Sequence, residues 1–132
     1  MTEEIEKEFI PHEQSLILKK MGFNEECMSV FSEEGKLSPL QNFPVRNSNI
    51  PSYCTAPIYR QVFKWFRDKY NLISSVDSLH YGCELKMNRF LYKIVEKSGV
   101  GTYDIYDTYE EAELACIDKL IEIVQKSETE KL

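Results

Sequence analysis

The sequence lacks long apolar runs and has few of the residues that build phosphate-binding loops and metal sites. Its apolar runs are only a few residues long, far below the roughly 20 residues that a membrane-spanning helix needs. With five glycines and two histidines, it contains no GxxxxGK[ST], GxGxxG, GxSxG or HExxH motif. These absences favour a non-enzymatic protein that has no catalytic residue, no metal and no cofactor, and that does not enter a membrane.

Paired cysteines and a targeting segment are also missing. The four cysteines lie far apart, so the chain has no zinc-type C-x-x-C pair, and reduced thiols are expected. The N-terminal MTEEIEKEFI is acidic where a signal peptide would be basic and then apolar, which predicts a cytoplasmic protein. A formal net charge of −6 argues against general binding to nucleic acid or to anionic membranes.

What the chain does have is the composition of a folded domain. Its 132 residues are 42% hydrophobic and 12% aromatic, which excludes wholesale disorder and suits one domain. The predicted organisation is an acidic, frayed N-terminus at 1–8, a single globular domain at 9–126 and a polar C-terminal tail at 127–132.

Two segments in the first half of the chain carry helix signals. In 9-FIPHEQSLILKKMGF-23, Gly22 is placed as the left-handed residue that closes a Schellman motif. In 57-PIYRQVFKWFRDKYNL-72, apolar and aromatic residues recur at helical spacing, and Thr55 or Ala56 is expected to cap the helix. A basic stripe shares the opposite face of this helix: Arg60, Lys64 and Arg67.

The stretch 106-YDTYEEAELACIDKLIEIVQK-126 combines acidic pairs with a cysteine and could be mistaken for a catalytic or metal site. Thr108 precedes Glu111 by three residues, as in a capping box. The neighbouring carboxylates favour the positive end of a helix dipole. The stretch therefore predicts a helix start, with Cys116 in the core.

A hairpin is predicted from two adjacent runs in the second half of the chain. The run 79-LHYGCELKM-87 alternates strictly between apolar and polar residues, and 90-FLYKIVEK-97 follows it directly. If Asn88-Arg89 forms a two-residue turn, the apolar faces match and Glu84 lies opposite Lys93.

The remaining strand signals complete the expected fold class. The run 27-CMSVFSEEGKL-37 predicts a hairpin that turns at 33–35, and 102–106 predicts a short strand. The resulting order is α-β-β-α-β-β-(β)-α. It predicts a single α+β domain in which an antiparallel sheet carries about three helices.

Taken together, 9-FIPHEQSLILKKMGF-23, 56-APIYRQVFKWFRDKYNL-72 and 107-DTYEEAELACIDKLIEI-123 resemble a group of small uncharacterised proteins. These proteins occur in Bacteroidetes genomes, their prophages and their phages. The resemblance covers most of the chain and is weakest at 39–55. It implies an accessory gene product in the cytoplasm of a bacterial or phage-infected bacterial cell, and it transfers no activity and no site residue.

The segment 40–57 is the strongest candidate for a binding site. Long loops without periodicity often carry function, and the following helix start would offer free N–H groups to an anion. The predicted ligand-binding residues are Arg46, Tyr53, Thr55 and Arg60. The alternative is a structural crossover that covers a sheet edge.

Two further residues are candidates for chemistry. Cys54, just before a helix, would be an activated nucleophile if His12 or His80 supplied a base, but no cysteine-enzyme signature surrounds it. A loop thiol is the simpler interpretation, and His80 is expected to be a solvent-exposed strand residue.

Three functions follow from these observations. The leading one is a non-enzymatic binding or accessory protein that acts through contact with another protein or with itself. The second is a binder of a small anionic ligand or nucleotide, which would use loop 40–57 and the following helix start. The third is a nucleic-acid binder that would use the basic stripe of helix 57–71, which the acidic net charge disfavours.

Overall fold

Helices and strands follow one another in nearly the expected order in the computed structural model, which describes residues 3–38, 44–50, 53–79 and 89–130. Within these ranges, four α-helices and two antiparallel sheets form a small α+β fold, which confirms the predicted class. The elements are α1 Glu3–Glu6, α2 His12–Lys20, β1 Val30–Phe31, a 3₁₀ turn Asn47–Asn49, β2 Cys54–Thr55, α3 Tyr59–Tyr70, β3 Ile73–Leu79, β4 Arg89–Val95, β5 Gly101–Tyr106 and α4 Tyr109–Glu130.

The chain divides into two compact units, residues 1–62 and 63–132. In the first unit, β1 and β2 pair antiparallel, with Val30 opposite Thr55. Phe31 also bridges Leu37 across a turn in which Gly35 takes a φ of 86°. The predicted hairpin turn is therefore confirmed, because its glycine occupies the left-handed region that other residues avoid.

Helix α2 ends in the predicted Schellman motif. Gly22 has a φ of 98°, its N–H donates to the Lys19 carbonyl at 3.1 Å, and the Phe23 N–H donates to the Leu18 carbonyl at 2.9 Å. Both Leu18 and Phe23 are buried. The motif therefore satisfies two terminal carbonyls and places an apolar contact at the helix end.

In the second unit, β3, β4 and β5 form an antiparallel sheet in that spatial order, and α4 packs on one of its faces. Tyr92 and Ile94 of β4 are buried on this face, and the Phe90 ring lies 5.9 Å from the ring of Tyr109 at the start of α4. Helix α4 buries an apolar stripe: Ala112, Cys116, Ile117, Leu120, Ile121 and Val124. This packing sets which side chains of each strand point away from the helix.

The threonine half of the predicted capping box of α4 is confirmed. The Glu111 N–H donates to Thr108 Oγ1 at 3.1 Å, and the Ala112 N–H donates to the Thr108 carbonyl at 3.2 Å. One terminal N–H that the helix itself cannot satisfy is thus bonded by the threonine side chain.

The predicted register of the second hairpin is wrong. Strand β4 pairs with β3, and Lys93 lies opposite Ser75 rather than Glu84. The predicted strand 79–87 falls, except for Leu79, outside the described residues. Strand β3, with the sequence ISSVDSL, carries serines where strands usually carry β-branched or aromatic residues. Its weak strand signal made the alternating run that follows it look like the partner of β4.

The strands of the described ranges form two sheets, whereas the sequence predicts one. The predicted domain bounds stay a prediction; within the segment 1–8, residues 3–6 form the short helix α1.

Replacing Thr108 with alanine is expected to lower the free energy of unfolding by about 0.5–2 kcal/mol, because it removes the N-cap acceptor of α4. The measurement is chemical denaturation with a fitted midpoint and m-value. Thr129→Ala is the matched control, since its hydroxyl donates to the Gln125 carbonyl near the other end of the same helix. Equal midpoints for Thr108→Ala and the control would contradict the cap.

Candidate functional site

The start of α3 differs from the sequence prediction, and the predicted Thr55 cap is wrong. Thr55 is completely buried in β2. The helix begins at Tyr59, where the Ile58 N–H donates to Gln61 Oε1 at 3.1 Å and the Tyr59 N–H donates to the Glu8 carbonyl at 3.2 Å. Thr55 is paired in a strand and does not cap the helix. The N–H groups of Ile58 and Tyr59, which would attract an anion, already have acceptors within the protein.

Arg46 forms internal contacts that join two loops. Its guanidinium donates to the Asn24 carbonyl at 2.7 Å and to Glu26 Oε1 at 3.3 Å. The Gln61 side-chain amide donates to the Glu26 carbonyl at 2.7 Å. A guanidinium held in this way positions the loop beside the start of α3 and has fewer donors free for an anionic ligand.

Asn47 is the residue that closes the loop, and sequence reasoning gave it no separate role. Its side chain is buried. Nδ2 donates to the Phe23 carbonyl at 2.8 Å, and Oδ1 accepts the Thr55 N–H at 2.9 Å. One amide therefore connects the end of the Schellman turn to β2 and satisfies a buried donor and a buried acceptor.

Lys19 makes a second internal connection to the same segment. Its ammonium donates to the carbonyl of Ile50 at 2.6 Å and to the carbonyl of Tyr53. The Tyr53 side chain is 37% exposed. Nothing local in the sequence indicates this role for Lys19, because its two partners are backbone carbonyls 31 and 34 residues away along the chain.

The four predicted ligand-binding residues are not joined into one cluster. In the described part of the chain, no hydrogen bond or ion pair connects any two of Arg46, Tyr53, Thr55 and Arg60. Arg60 is exposed on α3, whereas Thr55 has no exposed surface. Their common role in ligand binding stays a prediction, and the loop contacts fit the crossover alternative more closely.

The basic stripe of α3 is largely paired with an acidic residue. Lys64 Nζ lies 2.8 Å from Asp68 Oδ2, and Arg67 Nε lies 3.6 Å from Asp68 Oδ1. The hydrogen bond from Lys64 is the largest effect lowering the pKa of the Asp68 carboxyl. Lys69, next on this surface, lies over the Trp65 ring at 5.1 Å. These contacts describe a solvated helix face, with little unpaired positive charge for nucleic acid.

The buried cysteines are unsuited to nucleophilic chemistry. Burial raises the pKa of the Cys54 thiol, and the Lys19 ammonium opposes this only in part. Burial also raises the pKa of Cys27 to about 11 and of Cys116 to about 12. Such thiols stay protonated at neutral pH, whereas the nucleophile is the thiolate. His80, the proposed alternative base, lies outside the described residues.

The second unit presents a sheet face that α4 does not cover. We call it the outer face. Directly opposed residues of antiparallel strands project to the same side, so the register places alternate residues of all three strands on it. The outer face consists of Ile73, Ser75, Asp77, Leu79, Arg89, Leu91, Lys93, Val95, Gly101, Tyr103 and Ile105.

Large apolar side chains on the outer face are open to solvent. Ile73 is 58% exposed and Tyr103 is 70% exposed, and Val100, next to β5, is also exposed. Leu91 and Ile105 lie side by side in the next row of the sheet, beyond Lys93 and Tyr103, and are half-buried. Apolar residues gathered on one rigid face are typical of a contact surface, whereas scattered ones are not informative.

A groove along the end of α4 has a volume of about 150 Å³ and is lined in part by Tyr70, Glu96, Ile123 and Glu128. Its carboxylates disfavour an anionic ligand. Over the described ranges, no group of three or more His, Cys, Asp or Glu side chains could hold a metal ion. Within the same ranges, none of the helices combines the length and the apolar character needed to cross a bilayer.

No family model, curated protein or solved structure matches the chain. The resemblance to the Bacteroidetes and phage proteins therefore stays a prediction.

Replacing Asn47 with alanine is expected to lower the free energy of unfolding by about 2–4 kcal/mol, because it leaves the Thr55 N–H and the Phe23 carbonyl buried without partners. Asn49→Ala is the control: Asn49 lies in the same 3₁₀ turn but is exposed. Its effect should stay within about 0.5 kcal/mol. Similar denaturation midpoints for the two variants would show that Asn47 does not hold the loop.

Proposed function

We propose that the protein acts through contact with another protein, and that the outer face of the three-stranded sheet is its contact surface. The observation that carries this proposal is the exposure of Ile73 and Tyr103, 58% and 70%, on a face that α4 leaves uncovered. A partner that covers this face would remove apolar surface from water, which is the main favourable term in protein association.

The sequence of β4 supports the same proposal. Strands with one solvated face usually alternate apolar and polar residues, whereas strands covered on both faces carry nearly continuous apolar runs. Strand β4 reads RFLYKIV, and its outer positions include Leu91 and Val95. Apart from Arg89 and Lys93, the strand therefore has the composition of one that is covered on both sides.

The packed layer behind the outer face also favours binding of a partner to it. Behind β4, Tyr92 and Ile94 are buried against the apolar stripe of α4. Side chains on a strand packed in this way lose little additional freedom when a partner binds, so less of the association energy is offset by ordering. An accessory protein that binds without a catalytic site needs only such a preorganised surface.

The two alternatives have less support. A small anionic ligand at loop 40–57 would have to compete with the contacts that already hold Arg46 and the start of α3. A nucleic acid on α3 would meet Lys64 and Arg67 beside Asp68. In an acidic chain, neither surface offers the concentrated positive charge that phosphate groups require.

A photo-crosslinking amino acid at position 103 tests the proposal in the cells that produce the protein. We expect a covalent adduct with a protein, because Tyr103 lies in the proposed contact surface. The matched control carries the same group at Gln125, an exposed position on α4. Ile73→Ser should weaken the adduct at position 103 without unfolding the chain, since Ile73 is exposed. Equal adducts from both positions, or none from position 103, would contradict the proposal.

A further inference from the structure

We infer that the partner that covers the outer face is a second copy of this chain, related to the first by a two-fold axis that sets Asp77 of each copy against Lys93 of the other. This inference rests on the proposed function and specifies the partner. It is carried by the charges and the register of the outer face.

The first observation is that the outer face carries one unpaired charge of each sign. Asp77 and Lys93 are both exposed. Neither side chain forms an ion pair or a hydrogen bond with the described residues. The remaining charge on the face, Arg89, is already paired with Asp107 at 3.5 Å.

The positions of the two charges make the face self-complementary. Asp77 lies opposite Leu91, and Lys93 lies opposite Ser75, so the charges occupy diagonal positions on neighbouring strands. In a two-fold interface, residue i meets residue j and residue j meets residue i. A single two-fold axis that lies in the plane of the interface, midway between the two charges, therefore produces both contacts between Asp77 of one copy and Lys93 of the other.

The same axis brings together apolar residues at the centre of the outer face and at its β5 edge. With strands roughly 4.8 Å apart and residues roughly 3.4 Å apart along each strand, the axis passes close to Leu91 and Ile105. Each of these residues then meets its own copy. Tyr103, the most exposed apolar side chain, falls on Leu79 of the second copy. The half-buried Leu91 and Ile105 and the exposed Tyr103 ring therefore all gain apolar contacts.

The balance of charges on the outer face favours this face over other surfaces for self-association. The chain carries a formal charge of −6, so two copies repel each other in general. On the outer face, however, Asp77 offsets Lys93 and Asp107 offsets Arg89. Two copies therefore meet there without bringing like charges together, and the interface repels them less than the acidic exposed side of α4 would.

The size of the outer face sets the expected affinity. Three strands with seven, seven and six residues cover roughly 10 by 20 Å between Cα atoms. This is smaller than the roughly 800 Å² per partner of a standard interface. We therefore expect a weak dimer whose population rises between about 10 µM and about 1 mM chain.

Sedimentation velocity of the full chain over this concentration range, with charge-reversal variants, tests the inference. Asp77→Lys and Lys93→Asp should each raise the dimer Kd by about tenfold or more, because each variant sets like charges against each other. An equimolar mixture of the two variants should dimerise again, within about threefold of the unaltered chain, since their charges are complementary in the mixed dimer. Lys126→Asp, an exposed charge reversal on α4, should leave the Kd unchanged. Thermal unfolding should be the same for all three variants, since every altered side chain is exposed.

Three outcomes would overturn the inference: an unaltered chain that stays monomeric up to about 1 mM, single variants that dimerise as well as the unaltered chain, or a mixture that does not recover. The crosslinking experiment separates these failures from failure of the proposed function. A monomeric chain that still forms an adduct with a different protein from position 103 retains the proposed function and loses only the second-copy inference. No adduct at all removes both.

Discussion

One amphipathic helix can cover only one face of a sheet, and this constraint shapes the second unit of the protein. The apolar stripe of α4 meets Tyr92 and Ile94 on one face of β4. The other face keeps Leu91 and Val95, together with Tyr103 of β5, and α4 does not cover them. Burial of roughly 25 cal/mol per Å² of apolar surface provides the driving force for a partner to complete this layer.

The first unit uses its polar residues differently. Its long loop contains the arginine, asparagine and tyrosine that made it the best candidate site from the sequence. Arg46 and Asn47 instead bond to backbone carbonyls and to Glu26, and Lys19 holds the carbonyls of Ile50 and Tyr53. A long irregular segment must satisfy many backbone groups, and here charged and amide side chains serve that need.

Local signals in the sequence predicted local structure well. Gly22 ends α2 and Thr108 starts α4, because each motif depends on residues only a few positions apart. The turn at Gly35 follows from the same reasoning, since a positive φ favours glycine. The α+β class followed from the alternation of these elements along the chain.

Long-range pairings could not be predicted in this way. Thr55 looked like a helix cap, but its pairing with Val30, distant in sequence, places it in a strand. Lys93 looked like the partner of Glu84, but β3, rich in serine, occupies that edge of β4. The outer face depends on this register, so its residues could be named only after the pairing of β3, β4 and β5 was known.

Whether a second copy covers the outer face can be measured with ¹⁵N-resolved NMR spectra of the full chain over a dilution series. We expect the amide signals of Ser75, Lys93 and Tyr103 to shift with concentration, while those of Glu122 and Lys126 on the exposed side of α4 stay constant. Spectra that do not change with concentration, or shifts that cluster on α4 instead of the sheet, would contradict the second-copy inference.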